Sequence, residues 1–247
     1  MDRIDIIMLT CNRVDNSRVT VDQLYKRLKT PFRLIVVDDE SIDGTVEWLK
    51  EMQDKGLLEF YSPKSSNICQ AYNEGFKHVK SDYFITMQDD ITVPDLEPCV
   101  IQQLMALMEK YPDSASIGCR IQRIPNLNWS QGNEDLLPAR KAASAYFRIQ
   151  KKSDVEKLGE NPFGNQAWDD IAWVKQVRGK LGKEAYWAKN LWADHARGYC
   201  PNRGYHVKPR KWGLGGHDKL LQEIERKPYP KIDPKTNTPL PGEKIYR

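Results

Sequence analysis

At 247 residues, the chain has room for one large domain or one domain with an elaborated tail. Its 40% hydrophobic and 29% charged content is that of an ordinary globular protein, and no apolar run reaches membrane-spanning length. The net charge of +4 is uneven: residues 196–247 hold twelve Lys/Arg against five Asp/Glu, while the rest holds 26 against 29.

The amino terminus runs directly into a strand pattern and carries acids, unlike a signal peptide. Five cysteines, an odd number with no CxxC, argue against a disulfide framework or a cysteine zinc site and point to a cytoplasmic setting. Cys11 reads as a buried spectator. The basic carboxy-terminal segment suits an anionic partner such as a diphosphate, nucleic acid or a membrane surface, or else a solvated tail.

In chain order, Ile4 to Thr10 is a continuous apolar run and the first predicted strand. Thr10-Cys11-Asn12-Arg13 follows at its carboxyl end. Val21, Leu24, Tyr25 and Leu28 predict a helix over residues 19–28. Arg33 to Val37 is a second strand running into Asp38-Asp39-Glu40-Ser41-Ile42-Asp43-Gly44-Thr45, with a helix from Val46 to Met52. Leu58 to Tyr61 predicts a short strand, and residues 67–79 a helix with Ile68, Ala71, Tyr72, Phe76 and Val79 on one face. Tyr83 to Met87 is the fourth strand, ending in Gln88-Asp89-Asp90.

This alternation predicts an α/β fold with a mostly parallel central sheet flanked by helices. The carboxyl ends of the strands then share one edge, where open α/β sheets bind ligands. Thr10, Arg13, Asp38, Asp39, Gln88, Asp89 and Asp90 are therefore expected to line one cleft. The adjacent carboxylates at 89 and 90 repel each other and call for a cation, and a divalent metal carrying a diphosphate suits them. A solvated turn is the plain alternative.

Beyond residue 95, a helix is predicted over 96–111, a buried strand over 115–118, a long loop over 123–140 and a strand over 142–149. The turn-rich 159–164 stretch delivers Trp168-Asp169-Asp170 to a helix running to Leu181. A strand over 186–193 then ends at Asp194-His195. From Arg226 onward the chain is rich in Pro and Lys and is expected to be extended.

Val36-Val37-Asp38-Asp39-Glu40-Ser41-Ile42-Asp43-Gly44-Thr45 resembles the VVDDxSxDGT segment of glycosyltransferase family 2, whose fold is the Rossmann-like GT-A fold. Thr10-Cys11-Asn12-Arg13 is similar to that family's TxNR, and Ala71-Tyr72-Asn73-Glu74-Gly75 to its AxNxG helix. Met87-Gln88-Asp89-Asp90 falls where the family carries its DXD metal motif, and Trp168-Asp169-Asp170 resembles its acceptor-side ED or WDD motif. The resemblance spans residues 4–196. It implies residues 1–95 as a nucleotide-sugar-binding half and 96–196 as an acceptor-side half, with 197–247 left as a basic extension.

The resemblance further implies roles. Thr10, Arg13, Asp38, Asp39, Asn73, Gln88, Asp89 and Trp168 would bind the nucleotide sugar. Asp90 and His195 would hold Mn2+ or Mg2+, with His206 and His217 as competitors for the imidazole role. Asp170, beside Asp169, would be the general base of an inverting transfer from an NDP-sugar, UDP by family habit. One departure stands out: Gln88 replaces the first acid of DXD. The acceptor is a glycan or, through the basic extension, a hydroxymethylated base in DNA. A nucleotidyltransferase and a non-catalytic sugar-nucleotide-binding protein are the alternatives. The first would normally carry a glycine-rich loop after strand one, which Thr10-Cys11-Asn12-Arg13 lacks.

Overall fold

The computed structural model describes residues 3–63, 68–121, 132–139, 147–159 and 169–195, with the side chains of 68, 121, 169–171, 194 and 195 excepted. Four strands, β1 (Ile4–Thr10), β2 (Phe32–Asp38), β3 (Glu59–Tyr61) and β4 (Tyr83–Gln88), lie parallel in the spatial order β3-β2-β1-β4. Their crossovers are α1 (Val14–Arg27), α2 (Thr45–Asp54) and α3 (Ile68–Lys77). The strands are mostly apolar because both sheet faces are covered, and the charges near their start, Asp5 and Arg33, pair with each other. Ile6, Met8, Leu34, Val36, Ile85 and Met87 pack with Val21 and Leu24 of α1, Trp48 and Leu49 of α2, and Leu104 of α4 (Val100–Lys110). The alternate residues Ile7, Leu9, Ile35, Val37 and Phe84 pack with Ala71 of α3.

The second half extends the same sheet. A two-residue strand, β5 (Ile91–Thr92), precedes α4. Strands β6 (Ser114–Ile121), β7 (Leu136–Pro138), β8 (Arg148–Lys151) and β9 (Glu184–His195) follow, with α5 (Lys152–Leu158) and α6 (Asp169–Leu181) between the last two. β8 runs antiparallel to both β4 and β6, and β9 lies parallel to β6, giving the order β4-β8-β6-β9-β5. The β5–β9 pairing brings the end of β9 back beside the end of β4.

Four boundaries differ from the sequence-based expectation. The first helix begins at Val14 rather than Val19. Within the stretch expected as loop, Leu136–Pro138 forms β7 against Ala188, Trp187 and Tyr186 of β9. Of the strand expected over 142–149, residues 142–146 lie outside the described residues, and Arg148–Lys151 forms a strand that α5 follows directly. Most of the turn-rich 159–164 stretch, Trp168, His206, His217 and the basic extension lie outside the described residues.

Candidate active site at the strand ends

Register alone assembles the site. Thr10 of β1 lies opposite Asp38 of β2, and Leu9 lies opposite Gln88 of β4. One residue further on, the Asp39 amide donates to the Thr10 carbonyl (2.9 Å) and the Asp89 amide to the Leu9 carbonyl (3.0 Å). Three chain segments separated by up to 79 residues thus leave the sheet side by side.

Asp89 is the most heavily held side chain. Its Oδ2 accepts from the Thr10 hydroxyl at 2.7 Å and from the Ser17 hydroxyl at 3.2 Å, and the Thr20 hydroxyl donates to its carbonyl at 2.6 Å. One guanidinium nitrogen of Arg13 reaches Asp89 Oδ1 at 3.0 Å and Asp90 Oδ2 at 2.8 Å. The cation that the acid pair demands is therefore supplied by the chain itself. Both carboxylates are almost wholly buried. Burial pushes Asp89 up to about 6, with Asp90 pushing the same way and Arg13, Thr10 and Ser17 pulling it back.

Asp38 is fully buried. Its Oδ2 accepts from the Ser41 amide (2.9 Å) and the Ser62 hydroxyl (3.4 Å), while its Oδ1 has no hydrogen-bond partner among the described residues. Burial raises its carboxyl above the ordinary range, and the Ser41 amide opposes that shift.

The loops after β1 and β2 are locked together. Asn12, in the left-handed region at φ 53°, accepts from the Ile42 amide at 2.7 Å through its side chain, and its own amide donates to Ser41 Oγ at 2.7 Å. Asp43 accepts from the first amide of α1, that of Val14, at 3.1 Å and from Thr45. Gly44 supplies the left-handed residue (φ 91°) that starts α2. The Asp43-Gly44-Thr45 part of the segment is thus architectural. Cys11, half-buried, donates from Sγ to the Asp39 carbonyl at 3.1 Å.

Strand register sets Thr10, Asp38, Asp39, Gln88, Asp89 and Asp90 at neighbouring strand ends, and side-chain contacts join Thr10, Arg13, Asp89 and Asp90. β5–β9 pairing sets the backbone of His195 opposite Ile91, one residue from Asp90. Asp169 and Asp170 open α6. Asn73 of α3 lines a cavity under that helix. Sequence reading missed Ser17 and Thr20, which lie three residues apart on α1 and face Asp89. Their signal was a polar i, i+3 pair directly after Arg13.

A family model, "Glycosyl transferase family 2", matches residues 5–167. The chain belongs to that family. It is 26% identical to a dolichol-phosphate mannosyltransferase of Pyrococcus furiosus over an alignment of 203 residues that covers 73% of this chain and 54% of that protein. The chain therefore spans about half the length of that curated relative.

Among solved structures, the fold matches mannosyltransferase PcManGT of Pyrobaculum calidifontis in complex with GDP-Man and Mn2+. The TM-score is 0.60 at 18% identity, covering 80% of this chain and 58% of that one. It also matches glucosyl-3-phosphoglycerate synthase of Mycobacterium tuberculosis in complex with Mn2+, UDP and glucosyl-3-phosphoglycerate. There the TM-score is 0.53 at 15% identity, with 73% and 66% covered. The family 2 chain has the GT-A architecture of these neighbours.

Proposed function

We propose that this family 2 chain is a glycosyltransferase that moves a sugar from a nucleoside diphosphate sugar, a UDP-sugar by preference, to an acceptor hydroxyl with inversion. The observation that carries the reading is the convergence of Thr10, Arg13, Asp38, Asp39, Asp89 and Asp90 from three strand ends into one polar cluster. The relatives' printed ligands, GDP-Man in one and UDP in the other, support a sugar-nucleotide donor.

In this reading Asp38 and Asp39 bind the nucleoside, and the unpartnered Asp38 oxygen accepts from a ribose hydroxyl or a base N–H. Thr10 and Arg13 hold the Asp89–Asp90 turn beneath the diphosphate, with Gln88, Asn73 and Trp168 completing the donor site. Asp90 and His195 would hold Mn2+ or Mg2+ in this reading, a carboxylate and an imidazole suiting either ion, and the β5–β9 pairing supports it by setting the backbone of 195 opposite Ile91. Such an ion neutralises the departing diphosphate. Asp170 takes the acceptor's proton as its oxygen bonds to the anomeric carbon and the carbon–oxygen bond to the diphosphate breaks. Asp169 next to it raises its basicity.

UDP release from UDP-sugars, with water as the surrogate acceptor, tests this. Asp170→Asn is expected to lower release about a hundredfold or more while leaving donor affinity within about twofold. Unchanged release would make the chain a binding module rather than a transferase.

A further inference from the structure

The sheet face that carries α3 holds a second feature. A cavity of about 280 Å3 lies between α3, α5 and α6 above β4 and β8. That volume sits at the small end of ligand pockets, which run from about 300 to 1,000 Å3. Its walls carry aromatic rings, Tyr72 from α3, Phe84 from β4 and Trp173 from α6, beside the aliphatic Ile7, Val155 and Leu158. Set among them are the side chains of Arg148 and Gln150 from β8 and Gln176 from α6, all buried.

The wall is fixed in place before any ligand arrives. The Trp173 indole donates to Ser116 Oγ at 3.1 Å, the Arg148 guanidinium lies 4.9 Å from the Trp173 ring centre, and Gln150 donates to the Thr86 hydroxyl at 3.1 Å. Gln176 breaks the pattern. It is 9% exposed, and its Oε1 has no hydrogen-bond partner among the described residues. A buried amide oxygen in that state is a ready acceptor for a donor entering the cavity.

The chemistry of the wall narrows the occupant. An alkyl chain would bury a guanidinium and amide groups against hydrocarbon, which is unfavourable. A small anion would meet Arg148 and Lys77 but also Glu156, and it would leave the aromatic and aliphatic walls without a partner. A pyranose satisfies each feature: its C–H face packs on the aromatic rings, and a ring hydroxyl donates to Gln176 Oε1. The location is also apt. Trp173 and Gln176 follow position 170 by three and six residues on α6, about 4.5 Å and 9 Å along the helix axis.

We propose that this cavity is a binding subsite for a neutral pyranose ring of the acceptor. Its assignment to the acceptor rests on the glycosyl-transfer reading, whereas pyranose binding itself does not.

Saturation-transfer NMR and titration on the full chain test it, with the methyl pyranosides of glucose, galactose, mannose and N-acetylglucosamine as probes and UDP with Mn2+ as a separate arm. At least one glycoside is expected to bind saturably. Gln176→Leu is expected to weaken it about tenfold, in line with the loss of a hydrogen bond that a site is built to make. Val155→Phe, which fills the cavity from α5, is expected to abolish it. Both variants keep the UDP affinity of the parent. Absence of binding by all four glycosides, or binding that neither variant alters, overturns the subsite. So does displacement of a bound glycoside by n-octanol or by inorganic phosphate. Glycoside binding without any UDP binding would instead sink the transfer reading and leave the pyranose site standing.

Discussion

Arg13 is the residue on which the acid cluster turns. Asp89 and Asp90 are adjacent, both are buried, and a single guanidinium nitrogen bridges them. Removing one partner from a buried ion pair costs far more than a surface pair is worth. Arg13→Ala is expected to destabilise the fold by about 3–5 kcal/mol, read from urea unfolding. Arg13→Lys should recover only part of that, because the more strongly hydrated ammonium is costlier to bury beside the acid pair.

At the other end of the sheet, Asp5 accepts from Arg33 at 2.8 and 2.9 Å and from the Ser81 amide, and burial is outweighed, so its carboxyl lies below the usual value of 3.8. A lowered carboxylate contributes stability that is present above the unfolded value and is lost as pH falls through the folded one. Below pH 4, the parent should therefore lose stability more steeply than Asp5→Asn when thermal midpoints are followed. Equal slopes would remove Asp5 from the acid sensitivity.

Helix α3 is seated on β1 and β2 at the distance a glycine allows. A Cβ at Gly75 would fall 2.5 Å from Ile7 Cγ2 and 3.2 Å from Val37 Cγ2. Ile7 is β-branched and fully buried, so it has little room to yield. Gly75→Ala is expected to destabilise by about 1–3 kcal/mol, the usual range for overpacking, despite the better helix propensity of alanine.

The elements that were legible share one property. β1, β2 and β4 are apolar on both faces, and the carboxyl ends of such strands are where chemistry gathers. Those that were not legible lacked a periodic apolar face. β7 is three residues long in a turn-rich stretch, and α5 has only Val155 and Leu158 as apolar residues among charges. The start of α1 was hidden for a more telling reason. Its buried side chains there are Asn16, Ser17 and Thr20, polar because part of what they pack against is the Asp89 turn. Hydrophobic periodicity fails where a helix faces a functional cluster.

Across the whole molecule, the site is an outcome of strand order. β5 turns back to pair with β9, and this alone carries position 195 to the acid pair from more than a hundred residues away. Nothing in the sequence pattern announced that pairing, since β5 is two residues long. The roles of Asp90 and His195 as ligands came from the family resemblance, and register supplies only their proximity. The basic extension is a matter of composition, and an acceptor made of DNA rests on that charge alone. If DNA is bound, affinity should fall linearly on a log–log plot against salt, as counterion release requires. A salt-independent chain with no nucleic acid affinity would leave a glycan as the acceptor.

The most direct test of the convergent acid site is thermal unfolding of the full chain with UDP-, GDP- and dTDP-sugars, with and without Mn2+, beside Asp90→Asn. One donor at about a hundred times its Kd should contribute about 2.7 kcal/mol of stabilisation. For a domain of this size that is a rise of about 5–10 °C. The rise should be larger with Mn2+, and Asp90→Asn should lose the metal-dependent part. If no sugar nucleotide moves the midpoint under either condition, the strand-end cluster is not a donor site.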